Sequence, residues 1–234
     1  MACATHLPAI FVLIQLYLLA ASASRAPGNA TASSLCHPDQ AAALLQLKES
    51  FIFDYSTTTL SSWQPGTDCC HWEGVGCDDG ISGGGHVTVL DLGGCGLYSY
   101  GCHAALFNLA SLCYLDLSMN DFGRSRIPAV GFGRLTNLTH LNLSQSSFYG
   151  QVPSTIGNLT SLISLDLSSL NDIDPFETNN MNDILYGGND LELREPSFET
   201  LFANLTNLRE LYLDGVDISS SREEWCSGLE YKSD

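Results

Sequence analysis

Apolar residues recur along this chain in one local pattern. Five stretches carry them at positions one, four and six: Val87, Leu90 and Leu92; Leu112, Leu115 and Leu117; Leu138, Leu141 and Leu143; Leu162, Leu165 and Leu167; and Leu208, Leu211 and Leu213. The starts are 25, 26, 24 and 46 residues apart. In each stretch the last two apolar residues flank one polar residue, which predicts a short strand with two side chains inward and one outward. A tetrad of the form Leu-Ala/Thr-Ser/Asn-Leu leads into four of the five strands, beginning at Leu109, Leu135, Leu159 and Leu205. One such turn cannot bury its own apolar edge. Copies stacked above and below bury it, so the pattern predicts a solenoid with a parallel sheet on its concave side.

A period of roughly 24 residues lies within the ~20–29 of leucine-rich repeats. The expected fold is therefore an α/β solenoid of about five leucine-rich repeats over residues 86–218. The position eight after each start, where an asparagine ladder is usual, holds Cys95, Asn120, Ser146, Leu170 and Val216. Only Asn120 fits outright, and Cys95 is an accepted substitute. The gap of 46 residues contains an acidic, amide-rich insert, 171–204, with two readings: a degenerate repeat or one long looped turn.

Ahead of the array, residues 36–78 read as a cap for its open end. Pro38 suits a first helical position and Asp39 a first turn, and Leu44, Leu47 and Phe51 share one helical face. Four cysteines follow the same logic: Cys36, the adjacent Cys69 and Cys70, and Cys77. In a secreted chain they read as two disulfides rather than a zinc site with His71. Neighbours such as Cys69 and Cys70 do not readily pair with each other, which leaves Cys36 to one and Cys77 to the other. Cys95 and Cys102 are candidates for a further pair, with Cys113 free or joined to Cys226.

The run Cys36-x-Pro-Asp-Gln, Ala43-Leu44-Leu45-x-x-Lys48, Ser62-Trp63 and Asp68-Cys69-Cys70-x-Trp72-x-Gly74-Val75-x-Cys77 resembles the amino-terminal cap of plant leucine-rich-repeat receptors. Within them the chain most resembles the kinase-less receptor-like proteins. The resemblance implies a disulfide-bonded helical cap with pairs Cys36–Cys69 and Cys70–Cys77. Gly150-Gln151-Val152-Pro153 matches the plant-type Gly-x-Ile/Val-Pro segment, which implies a second short sheet and a superhelical twist. The resemblance further implies perception of a peptide or protein ligand at the cell surface, in defence or development. Signalling would pass through a membrane receptor kinase acting as co-receptor. Many more repeats, a membrane helix and a short tail would follow in such a receptor, so residues 219–234 read as a truncated tail. A soluble inhibitor of a microbial cell-wall hydrolase, resembling the polygalacturonase-inhibiting proteins, is the alternative, and a non-functional remnant a third.

Composition narrows the partners. Net charge is −17 with only 9 Lys+Arg, which argues against nucleic acid and against anionic membrane surfaces. Residues 1–24 read as a signal peptide, with an apolar run from Pro8 to Ala20 and small residues at Ala21-Ser22-Ala23, and residues 25–35 as a linker. Secretion to the apoplast follows, or plasma-membrane placement if the full-length form carries a membrane helix. Nine cysteines suit that oxidising route. Sequons at Asn29, Asn137, Asn142, Asn158 and Asn204 are then glycosylation candidates.

No catalytic constellation accompanies His86, His103 or His140, and the glycines of residues 83–85 lack the Gly-Lys-Ser/Thr of a phosphate loop. The expectation is a binding protein, not an enzyme, with no metal and no cofactor. The outward strand positions form the candidate ligand face: Tyr114, Asp116, His140, Asn142, Ser164, Asp166, Glu210 and Tyr212. Ser118, Ser144, Ser168 and Asp214 continue the same rows. Regular strand spacing rules a surface on which an extended segment can lie, and carboxylates there select basic partners.

Overall fold

The structure, a computed structural model, describes residues 36–53, 59–78, 85–169, 191–194 and 198–218. The signal, the linker with Asn29, Leu170, residues 171–190 and 195–197 of the insert, and the tail with Cys226 lie outside the described residues.

Helix α1 (Pro38–Glu49) opens the described chain with proline in its first turn. Gln40, Ala43, Leu44 and Leu47 form its buried stripe, at the i, i+3, i+4, i+7 spacing of one helical face. Phe51 is buried beyond it, as its spacing predicted. A hairpin then leads into the array: β1 (Val75–Cys77) runs antiparallel to β2 (Val87–Asp91). From there the concave sheet is parallel, through β3 (Tyr114–Asp116), β4 (His140–Asn142), β6 (Ser164–Asp166) and β8 (Glu210–Tyr212). Leu90, Leu115, Leu141, Leu165 and Leu211 lie side by side in register, one from each repeat.

Because β6 pairs directly with β8, the long gap spans one turn of the solenoid, and among the described residues it places no strand in the concave sheet. Its described parts lie elsewhere. Strand β7 (Leu191–Glu192) pairs with β5 (Gly150–Gln151) in a second, two-stranded parallel sheet. Helix α2 (Phe198–Phe202) packs on the preceding turn so closely that a Cβ on Gly157 would stand 2.6 Å from the Leu201 carbonyl oxygen. The second sheet is the one that the Gly150–Pro153 segment implied.

Two side-chain ladders staple the turns. Asn120 Nδ2 donates to the carbonyls of Leu92, Leu117 and Ser118 at 2.8–3.0 Å, and its Oδ1 accepts from Leu97 N–H. Ser146 repeats part of this one turn later, donating to Leu117 and Ser144 carbonyls. On the opposite edge Asn137, Ser161 and Asn207 donate to the carbonyls of Ala110, Thr136 and Thr160 in the turn before. The bend after the strands passes through left-handed backbone at Gly94, Met119, Gln145 and Gly215, so glycine stands at only two of these four equivalent positions.

The cap is held by chemistry rather than repetition. Disulfides join Cys36 to Cys69 and Cys70 to Cys77. Trp63 and Trp72 stack at 5.6 Å between ring centroids, and each indole N–H is bonded, to Glu73 O and Thr67 Oγ1. Lys48 Nζ donates to Leu60 and Trp63 carbonyls. Asp68 Oδ1 accepts from the N–H groups of Cys36 and Cys70. Cys102 carries a free thiol, so it does not pair with Cys95; Cys113 is free as well.

Candidate functional site

The eight outward residues singled out on the strands line a single open depression, together with Leu141. Strand register explains why. One row across the sheet runs Tyr114, His140, Ser164, Glu210; the next runs Asp116, Asn142, Asp166, Tyr212. Residues two apart on a strand share a face, and neighbouring parallel strands lie ~4.8 Å apart. The opening holds about 250 Å³.

Within it, the second row is more engaged than its outward position suggests. Asp116 is only 7% exposed. Its Oδ1 accepts from Ser118 N–H and Oγ–H, and its Oδ2 from Asn142 Nδ2 and, at 3.4 Å, from Tyr114 Oη. Asn142 Oδ1 likewise accepts from Ser144 N–H and Oγ–H, and Asp166 Oδ1 from those of Ser168. These Asp/Asn-x-Ser pairs terminate the strands by capping the backbone as it turns. Ser118 and Ser144, expected outward, are therefore buried. Asp116 is fully occupied as a structural acceptor, and Asn142 serves a second purpose: its amide separates the Asp116 and Asp166 carboxylates with a donor.

Electrostatics follow from burial. Burial pushes the Tyr114 hydroxyl pKa well up, reinforced by the charges of Asp116 and Asp91 and the bond to Asp116. Burial lowers the His140 pKa against the opposing charge of Glu210, so both rings face the depression uncharged near neutral pH. Asp91 is pushed up by burial and by Asp116, against a bond from Gly93 N–H. Tyr114 and His140 lie 5.8 Å apart, ring to ring, and Tyr212 is 47% exposed at the other side.

The other candidates do not join this face. His86 stacks on His37 at the cap, and His103 Nδ1 caps a 3-10 turn by accepting from Ala105 N–H. The sulfurs of Cys36, Cys69 and Cys70 lie together but are bound in disulfides, which leaves no thiolate to hold a metal. Asn137, Asn158 and Asn204 are exposed in turns, whereas Asn142 lies in the depression. Among the described residues no helix is long and apolar enough to cross a membrane.

Comparison with known proteins agrees with this architecture. The family Leucine rich repeat N-terminal domain matches residues 37–78, and Leucine Rich Repeat matches residues 137–159. Receptor-like protein 6 of Arabidopsis thaliana is 37% identical over 203 residues, covering 80% of this chain and 19% of its own length. Receptor-like protein EIX1 of Solanum lycopersicum is 40% identical over 161 residues, covering 62% of this chain and 14% of its own. The chain thus spans less than a fifth of these relatives. Among solved structures, the BIR3–SERK2 complex from Arabidopsis thaliana contains a chain with a TM-score of 0.56 and 29% identity, covering 75% of this chain and 80% of that one.

Proposed function

We propose that this leucine-rich-repeat protein, similar along most of its length to part of plant receptor-like proteins, is a ligand-binding ectodomain segment. It holds a peptide or protein segment along its concave sheet. The observation that supports this is the convergence of side chains from four adjacent strands on one open depression. The action is binding rather than catalysis, and it uses no cofactor. Both relatives are receptor-like proteins, which favours a receptor over the hydrolase-inhibitor reading.

The rest of the reading follows from secretion. Residues 1–24 direct export, and the two cap disulfides form in the oxidising route. Asn137, Asn158 and Asn204 carry sugars away from the concave face. The protein faces the apoplast, at the plasma membrane when its full form includes a membrane helix. Signalling in defence or development passes through a partner kinase. The BIR3–SERK2 complex supports that last step to the extent that a chain of this fold assembles there with a second protein.

The test is positional. A photo-crosslinking residue is placed at Tyr212 in the depression or at exposed Val130, away from it, and the secreted protein is incubated with extracellular fluid. Crosslinks confined to position 212 are expected. Equal yields at both positions overturn the proposal.

A further inference from the structure

The depression has a small floor, aromatic walls and two carboxylates that keep open acceptor positions among the described residues. Ser164 lies between His140 and Glu210 in one row, so the smallest side chain stands at the centre. Tyr114 and His140 rise on one side of it, Glu210 and Tyr212 on the other. Its volume of about 250 Å³ falls below the ~300–1,000 Å³ of sites that enclose a whole small molecule. It is the size of a socket for one side chain of a larger ligand.

Charge decides which side chain. Both oxygens of Asp116 and both polar atoms of Asn142 are already engaged. Asp166 commits only Oδ1, to Ser168, and its Oδ2 accepts nothing from the described residues. Glu210 takes no hydrogen bond from them, and their ion pairs include neither Asp166 nor Glu210. An apolar guest would strip water from Asp166 Oδ2 and the Glu210 carboxylate, and an acidic guest would be repelled.

We infer, on the reading that the concave face is where the ligand lies, that this depression is an anchor subsite for an arginine side chain of that ligand. The planar guanidinium lies against the Tyr212 ring and directs its forked donors to Asp166 Oδ2 and Glu210. Lysine supplies the charge without the fork and binds less well.

The experiment has two arms on the purified, folded protein. A displayed random-peptide library is selected for binding, and Nα-acetyl-arginine amide is titrated by NMR beside its uncharged analogue Nα-acetyl-citrulline amide. Selected peptides share an arginine, and the arginine amide shifts resonances of β6 and β8 while the citrulline amide does not. Glu210→Gln and Asp166→Asn, with unfolding midpoints unchanged, each weaken binding about tenfold. Equal binding of both amides overturns the anchor, as does failure of both amides. Peptides without arginine that are still displaced by Ser164→Trp overturn the anchor but leave the concave face as the binding surface. Peptides indifferent to Ser164→Trp overturn both.

Discussion

At the first turn of the solenoid an antiparallel strand closes the sheet, two disulfides tie the chain above it, and stacked Trp63 and Trp72 fill the gap. Leu90 and Leu92 beneath are sealed from solvent. At the last described turn β8 has a neighbour on one side only among the described residues. There Leu208, Leu211 and Leu213 stay half-buried, although they occupy the same repeat positions as fully buried Leu162, Leu165 and Leu167. The residues are alike and the surroundings are not. A leucine in this pattern contributes in proportion to the neighbours it is given, because its stabilisation scales with apolar area removed from water.

That contrast can be broken at the sealed end first. Trp63→Ala removes a buried indole, its stack and its bond to Glu73 O. Denaturant unfolding should show a loss of about 3–5 kcal/mol. In the middle of the array Asn120→Ala leaves the Leu97 N–H without its acceptor and takes a donor from the Leu92, Leu117 and Ser118 carbonyls, of which Leu117 keeps Ser146 and Ser118 keeps the Gly94 N–H. The expected loss is about 2–3 kcal/mol, with faster amide exchange in the bends on either side. At the open end Leu211→Ala should cost only about 1 kcal/mol, since the side chain is already half in water. A loss as large as that of a fully buried leucine would mean that β8 is covered in solution.

The smallest effect separates the ends by pH. Burial alone would raise the Asp68 carboxyl. Hydrogen bonds from Cys36 and Cys70 N–H, with the contact to His71, outweigh it and hold the group below the ordinary carboxylate range. A depressed native pKa adds stability that is complete above the unfolded value of about 3.9 and disappears as pH falls through the native one. Protection of the amides near Cys36 and Cys70, measured against the intrinsic exchange rate at each pH, should therefore fall in acid, and Asp68→Asn should flatten that dependence. Persistence of the acid dependence in the variant would assign it elsewhere.

The strand register was legible in the sequence because Leu-x-x-Leu-x-Leu names both the inward positions and the period. The pairing of Leu165 with Leu211 across the long gap was not, since length alone does not distinguish an extra turn from an expanded one. The candidate face was legible as a set of outward positions. What those side chains do to one another was not. Asp116 and Ser118 alternate onto one face by spacing, but their closing on each other depends on how the backbone bends after the strand. Ser146 passed as a poor ladder residue because a hydroxyl makes fewer bonds than an amide, yet it reaches two carbonyls. The edge ladder of Asn137, Ser161 and Asn207 was hidden within a tetrad read for its leucines.

The expanded turn between β6 and β8 bears on how such a surface can diversify. The sheet on the concave side addresses each repeat by its strand alone, and the path between two strands is invisible to it. Loop length can drift over evolutionary time while every contact position keeps its coordinates, so insertions on the flank and substitutions on the face are free to vary as separate traits.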